Sequence, residues 1–156
     1  KVTVGGVPDV PGKAAQIFEI VAVTQANIDM IVQNVSAANT NRTDISFTIP
    51  VGDGKKVIDA LKNHSEEIGY ENVFYDDQIA KIAVVGAGMR TNAGVSAKLF
   101  RALYDAGINI EMISTSEIRI SVVTRADVLD KAVQVLHTAF DLDADEDATV
   151  YAGTGR

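Results

Sequence analysis

Twice in this chain a glycine-led turn opens onto a helix with apolar periodicity, and the residues around these turns are the ones best suited to chemistry. In the first, Val7-Pro8-Asp9-Val10-Pro11-Gly12 precedes Lys13 and Ala14. The N–H groups at a helix start lack intrahelical partners, and with the helix dipole they favour a carboxylate. Asp9 stands three residues before Gly12 and could meet an ammonium group. A carboxylate receptor beside a carboxylate donor is what an α-amino acid needs. The same residue types also make an ordinary tight turn, with Asp9 solvated or capping the helix. The second turn, Gly86-Ala87-Gly88-Met89-Arg90-Thr91-Asn92-Ala93-Gly94, brings Thr91, Asn92 and Ser96. These are polar but uncharged, so the two pockets should differ.

Other chemical readings are weaker. The run Ile82-Ala83-Val84-Val85-Gly86-Ala87-Gly88 suggests a strand entering a dinucleotide-binding turn. The third glycine of that fingerprint is Thr91 here, which would hamper close approach to a pyrophosphate. Asn27 and Asn109 occupy matched positions between a helix and a strand, where asparagine is also a common turn residue. Gln33, Ser36, Thr115 and Ser116 are polar residues on otherwise apolar strands, able to bind a ligand or to face solvent. His64 and His137 do not align with each other and have no nearby ligand set, so they read as helix-surface residues. Asp141, Asp143, Asp145, Glu146 and Asp147 would need a glycine where Glu146 stands to form a calcium loop, so a solvated loop is expected.

The elements that hold these turns come in two copies. Gly12-Lys13-Ala14-Ala15-Gln16-Ile17-Phe18 lies over Gly94-Val95-Ser96-Ala97-Lys98-Leu99-Phe100 at an offset of 82. The same offset lays Asn27-Ile28-Asp29-Met30-Ile31 over Asn109-Ile110-Glu111-Met112-Ile113, with four of five positions identical. Later the offset falls to 75, so that Ile45-Ser46-Phe47 matches Ile120-Ser121-Val122. A shorter hairpin in the second copy explains the change. In each copy a short strand (residues 2–7 or 82–85) leads into the glycine turn and then a helix. Ala14, Ile17, Phe18 and Val21, or Val95, Leu99, Ala102, Leu103 and Ala106, line its apolar face. Gly107 sits where a helix C-cap would be. Two alternating strands follow, through Ile28, Met30 and Val32 then Ile45, Phe47 and Ile49, or through Ile110 and Met112 then Ile118, Ile120 and Val122. A second helix carries Val57, Ile58 and Leu61, or Leu129, Ala132, Val133 and Leu136, with Asp53 and Asp127 as N-caps. A last strand includes Val73-Phe74-Tyr75, or Val150-Tyr151. The order βαββαβ predicts an α+β chain of two ferredoxin-like domains in tandem, at 1–78 and 79–156, each a four-stranded antiparallel sheet with two helices on one face.

Composition narrows the function classes. The 156 residues include 14 Lys and Arg against 21 Asp and Glu, a net charge of −7, and the basic residues are scattered. Such a chain repels phosphate backbones, so no nucleic-acid partner is expected. The absence of cysteine excludes disulfides, thiolate metal sites and thiol nucleophiles, and it suits a reducing compartment. No apolar stretch reaches the roughly 18 residues of a membrane span. Neither metal nor cofactor is expected, and we expect a cytoplasmic location. The chain starts inside an expected strand without a signal pattern, so a preceding segment is expected. Small units of this size bury a limited fraction of their surface, so they should lean on each other or on another chain.

The strings Val7-Pro8-Asp9-Val10-Pro11-Gly12, Asn27-Ile28-Asp29-Met30-Ile31-Val32-Gln33-Asn34-Val35-Ser36, Val85-Gly86-Ala87-Gly88-Met89 and Ile113-Ser114-Thr115-Ser116-Glu117-Ile118-Arg119-Ile120-Ser121 resemble the tandem ACT domains of aspartate kinase. The similarity covers the whole chain. It is strongest to the separate regulatory β subunit of bacterial aspartokinases built from two catalytic α and two regulatory β subunits, as in actinobacteria. There an internal start site in the kinase gene yields the regulatory portion alone. The resemblance implies a non-catalytic chain, because the kinase domain precedes the ACT region in that family. It implies threonine as effector, and lysine with it in the concerted type, for feedback inhibition of aspartate phosphorylation on the route to lysine, threonine, methionine and isoleucine. It also implies a homodimer through the ACT domains and a catalytic α subunit as partner.

Residue roles carry over in the same way. The loop 9–14 would hold the amino acid, with N–H groups near Gly12 and Ala14 for the carboxylate and Asp9 for the ammonium. Gln33 would line the pocket, and Asn109 and Ile110 of a partner chain would close it. A pseudo-equivalent site would use Asn92, Gly94 and Ser96 with Asn27 and Ile28. Ser36 and Ser116 stand where the resemblance implies effects on feedback control. Residues 37–42 and 64–70 follow no pattern of that family.

Overall fold

The computed structural model describes residues 1–35, 40–86 and 94–142. They belong to two compact units, Lys1–Ile79 and Ala80–Arg156.

The first unit runs β1 (Val2–Pro8), α1 (Lys13–Val23), β2 (Ile31–Gln33), β3 (Arg42–Phe47), α2 (Gly54–Asn63), α3 (Ser65–Ile68) and β4 (Asn72–Tyr75). Its sheet has the order β2-β3-β1-β4 with every neighbouring pair antiparallel, as the βαββαβ reading requires. Alternation along β1 and β3 sends Val2, Val4, Ile45 and Phe47 to one face, where they pack on Ile17 and Val21 of α1 and Val57 and Leu61 of α2. Phe18 meets Phe47 edge-on with centroids 5.4 Å apart.

The alternation of β1 breaks once, just before the strand enters the first glycine turn. Val4 pairs with Ile45 but Val7 pairs with Thr43, so Gly5 and Gly6 together oppose Asp44. This β-bulge inserts one extra residue and switches the side-chain parity, which lets Val7 face the same core as Val2 and Val4. Gly6 takes φ +65, a left-handed conformation that glycine adopts without a Cβ clash.

Residues 64–70, unreadable in the sequence, form the short helix α3 and its exit. Ile68 is fully buried in the core, and Gly69 closes the turn at φ +78 with its N–H on the Ser65 carbonyl at 2.8 Å. Lys13 Nζ donates to the Glu67 carbonyl at 3.0 Å, and Gln16 Nε2 donates to the Glu67 carboxylate at 2.9 Å. The start of α1 is thereby tied to the end of α3.

The second unit runs β5 (Ile79–Val85), α4 (Gly94–Asp105), β6 (Met112–Thr115), β7 (Arg119–Arg125) and α5 (Leu129–Ala139). Its sheet order, β5-β7-β6, matches β1-β3-β2. Leu99 and Leu103 of α4 and Ala132 and Leu136 of α5 pack on Ile120 and Val122. The expected strand at Val150-Tyr151 and the acidic residues Asp143, Asp145, Glu146 and Asp147 lie outside the described residues. The repeat extends to single hydrogen bonds: Asp29 N–H to the Thr48 carbonyl at 3.1 Å recurs as Glu111 N–H to the Val123 carbonyl at 2.8 Å.

Helix ends show where the copies part. Gly107 ends α4 at φ +70, with its N–H on the Tyr104 carbonyl and the Ile108 N–H on the Leu103 carbonyl, both at 2.9 Å. This is a Schellman cap. Its counterpart after α1 is Gln25, an exposed residue at φ +56. A side chain in that region costs about 1–2 kcal/mol. Gln25→Gly should therefore stabilise the first unit by about 0.5–1 kcal/mol after the added unfolded-state entropy of glycine. A higher denaturant midpoint at unchanged slope would show it.

Some expectations need correction. Asp53 occupies the N-cap position of α2 but makes no side-chain cap bond, and it pairs with Lys56 at 2.8 Å. Asp127 lies inside a 3-10 turn, Ala126–Val128, and Val128 takes the cap position of α5. Both helices are entered through such a turn, which leaves Asp53 at the cap position of α2 and carries the cap of α5 one residue beyond the expected Asp127. Val133 and Ile118, expected in the core, are 45% and 55% exposed. Val133 flanks the buried stripe of α5, and Ile118 precedes β7 in the hairpin. Ile28 packs against the core but precedes β2, which holds only three residues.

Candidate functional site

The bulge in β1 aims the chain into the first glycine turn. After Pro8, the Asp9 N–H bonds to the Asn41 carbonyl at 2.8 Å, the last tie of this strand to the β3 side. The Val10 N–H then folds back on the Pro8 carbonyl at 2.9 Å. Gly12 takes φ +94 and ψ −15 as the N-cap of α1, with no side-chain cap. The Gln16 N–H bonds to the Gly12 carbonyl at 2.9 Å, so the helix is fully started by then. The Lys13 N–H turns back on the Val10 carbonyl at 3.5 Å, and the remaining N–H groups of the first turn have no intrahelical partner and can meet a ligand or water.

Asp9, Gly12, Ala14 and Gln33 come together here, on the wall of a cavity of about 330 Å³ floored by Val7, Thr43 and Ile45. That volume is at the small end of the range of about 300–1,000 Å³ for small-molecule sites. Gln33 reaches it from the end of β2, in register with Ile45. The Thr43 hydroxyl, buried in the floor, donates to the Asn34 carbonyl. Lys13 also lines the cavity, a residue that sequence reasoning passed over. Asp9 and Lys13 place a negative and a positive group four residues apart around the turn. A cation in the first turn opposes the helix dipole, and that mismatch was the available signal for it.

The other expected site residues belong to other stretches of the two units. Asn109 is exposed and Ile110 packs against the second core, between α4 and β6. Asn27 is exposed and Ile28 half-buried in the matching connection of the first unit. Gly94 opens α4 and is exposed, and Ser96 is half-buried on its first turn. Asn92 and Ser36 lie outside the described residues. Ser116 is exposed in the β6–β7 hairpin, its N–H on the Arg119 carbonyl at 2.7 Å. His64 and His137 are exposed, and His64 Nδ1 lies 2.8 Å from the Ala60 carbonyl. Among the described residues no group of three or more His, Asp or Glu could hold a metal, and no helix is long and apolar enough to cross a membrane.

The strand that leads to Gly86 does not sit in a dinucleotide-binding arrangement, and Gly88 and Thr91 lie outside the described residues. Such a site needs a strand, a helix and a second strand parallel to and beside the first. Here β7 lies between β5 and β6, and Gly86 continues the sheet through its N–H on the Ile118 carbonyl at 2.9 Å.

The family model of the ACT domain matches this chain twice, over residues 2–64 and 82–140. An aspartokinase of Corynebacterium efficiens is 52% identical over all 156 residues, which make up 37% of that relative. The chain thus spans little more than a third of the curated relatives it matches. A crystal structure of aspartokinase alpha and beta subunits contains a chain 45% identical, with TM-score 0.83 and 90% of both chains covered. The ligand-free regulatory subunit of aspartate kinase from Thermus thermophilus is 37% identical with TM-score 0.82, covering 89% of this chain and 90% of that one. One match to each unit, together with likeness along the chain to a separate regulatory subunit, shows that this chain belongs to the ACT-domain family and is the tandem-ACT regulatory part of an aspartokinase.

Proposed function

We propose that this chain is a non-catalytic subunit that binds threonine in the Asp9–Gly12–Gln33 cavity, with lysine as a second effector, and thereby restrains a catalytic α subunit that phosphorylates aspartate. The observation that carries the reading is the pairing of Asp9 with the uncapped start of α1 on one small cavity. The carboxylate of an amino acid meets the N–H groups at Gly12 and Ala14, and its ammonium meets Asp9. Asn109 and Ile110 of a second chain close the cavity, so a homodimer is the binding unit. The pseudo-equivalent site is made of Asn92, Gly94 and Ser96 with Asn27 and Ile28, and it lacks a carboxylate. Ser36 and Ser116 tune the response. The protein works in the cytoplasm, without cofactor or metal.

The mechanism is linkage. An effector held by two chains stabilises their association and one quaternary arrangement. It shifts the kinase only as far as its affinities for the two arrangements differ.

Isothermal titration with threonine and lysine, separately and together, tests the ligand. Threonine should bind alone, and heat from neither amino acid would leave a ligand-free adaptor. Sedimentation tests the assembly: threonine should tighten a homodimer, and a monomer at micromolar concentration under saturating threonine would refute closure by a second chain.

A further inference from the structure

We propose that Arg42 and Asp44 clamp the β1 bulge and so position the effector loop of the threonine site. Both are positioning residues, and the proposal rests on the reading of that cavity as the effector site. The extra residue of a bulge is left outside the strand ladder, with its N–H and carbonyl needing other partners. Side chains from β3 supply both for Gly6. Asp44 Oδ1 accepts from the Gly6 N–H at 2.8 Å, and Arg42 Nη1 donates to the Gly6 carbonyl. The same guanidinium nitrogen donates to the Gly69 carbonyl at 3.1 Å, and Arg42 Nε pairs with Glu71 at 3.2 Å. Glu71 in turn sends its N–H to the Gly5 carbonyl at 3.0 Å.

The clamp therefore joins the bulge to the exit of α3, whose Glu67 carbonyl holds Lys13. The loop from Pro8 to Lys13 is fixed at both ends. Neither Arg42 nor Asp44 lines the effector cavity. They front a different cavity of about 470 Å³, lined also by Gly5, Gly6 and Glu71. Their effect on a ligand must pass through the loop. The two glycines are closely overlaid by side chains: a Cβ at Gly5 would stand 2.2 Å from Asn72 Oδ1, and one at Gly6 would stand 2.7 Å from the Glu71 side chain.

The second copy cannot build the same clamp. At the offset of 75, Arg42 corresponds to Glu117 and Asp44 to Arg119. A carboxylate cannot donate to a carbonyl, and a guanidinium cannot accept from an N–H. The clamp thus goes with Asp9 in the first copy and is inverted in charge in the second, whose loop carries no carboxylate.

The test uses the full chain with Arg42→Met, Asp44→Ala and Asp44→Asn. Arg42→Met and Asp44→Ala should each weaken threonine binding about fivefold, within the range by which residues remote from a ligand modulate its affinity. Asp44→Asn should stay near wild type, because its amide oxygen still accepts. Arg42→Met combined with Asp9→Ala should lose no more than Asp9→Ala alone. Without threonine, amide exchange at Asp9 should quicken about fivefold in Arg42→Met, with Val57 and Leu61 of α2 unchanged. Wild-type affinity in both Arg42→Met and Asp44→Ala, wild-type exchange at Asp9, or equal quickening throughout the unit would overturn the clamp. Full threonine affinity in Asp9→Ala would instead overturn the site reading, and the exchange data would then judge the clamp by themselves.

Discussion

Asp9→Ala should weaken threonine binding by about 1.5–3 kcal/mol, a rise in Kd of roughly 10- to 150-fold. The magnitude is that of a hydrogen bond to a charged group, which is stronger than one between neutral partners. Asp9 is exposed, and its tie to the sheet is its backbone N–H on the Asn41 carbonyl, which alanine keeps. The core of the first unit lies under β1 and β3 and does not include it. Stability should then change by no more than about 0.5 kcal/mol, as for most surface substitutions. Asp9→Asn separates charge from hydrogen bonding, because it keeps an acceptor and loses the charge. Its affinity should fall between those of wild type and Asp9→Ala, and the gap between wild type and Asp9→Asn should shrink with added salt. Titration of the folded variants is the measurement, and unchanged affinity in Asp9→Ala would remove Asp9 from the site.

The fold was largely legible because a repeat doubles every signal. Gly12 over Gly94 and Asn27 over Asn109 fixed the register of the copies, and alternation at Ile45 and Phe47 picked out a central strand. What stayed hidden was set by contacts distant in sequence. The bulge at Gly5-Gly6 shows only as two glycines, since its cause is a pair of side chains about 40 residues away on β3. The helix α3 spans four residues, too few for a periodic pattern, and it exists because Ile68 plugs the core and Gly69 turns the chain. The start of α5 was misplaced by the 3-10 turn before it, which no residue type marks. For the candidate site, Asp9 and Gly12 were legible as residue types around a helix start and Gln33 as a polar residue on an apolar strand, while Ala14 came through the family resemblance, and one cavity gathers them. Arg42 and Asp44 were not, because charged residues outside the core ordinarily carry no signal of what they hold.

Gly12→Val should lower threonine affinity at least 100-fold, the sum of a conformational and a steric effect. Gly12 holds φ +94, and a side chain there is strained whatever the space around it. That strain is worth about 1–2 kcal/mol for an ordinary L-residue and more for a β-branched one. The surroundings offer no clash to blame instead, since an added Cβ meets nothing within 4 Å. The chain is therefore free to relieve the strain by turning residue 12 toward negative φ, and this would swing the N–H groups of the first turn away from the carboxylate. The branched side chain would also stand at the wall of a cavity of only about 330 Å³. Gly12→Ala isolates the first effect and should lose about tenfold, close to the 1.4 kcal/mol that a factor of ten represents. The fold should survive both changes, because Gly12 is exposed and the buried stripe of α1 begins at Ile17. Wild-type affinity in folded Gly12→Val would end the assignment. So would a threonine-bound crystal structure with density only beside Gly94 and Ser96, where a glycine also opens a helix but no carboxylate stands before it.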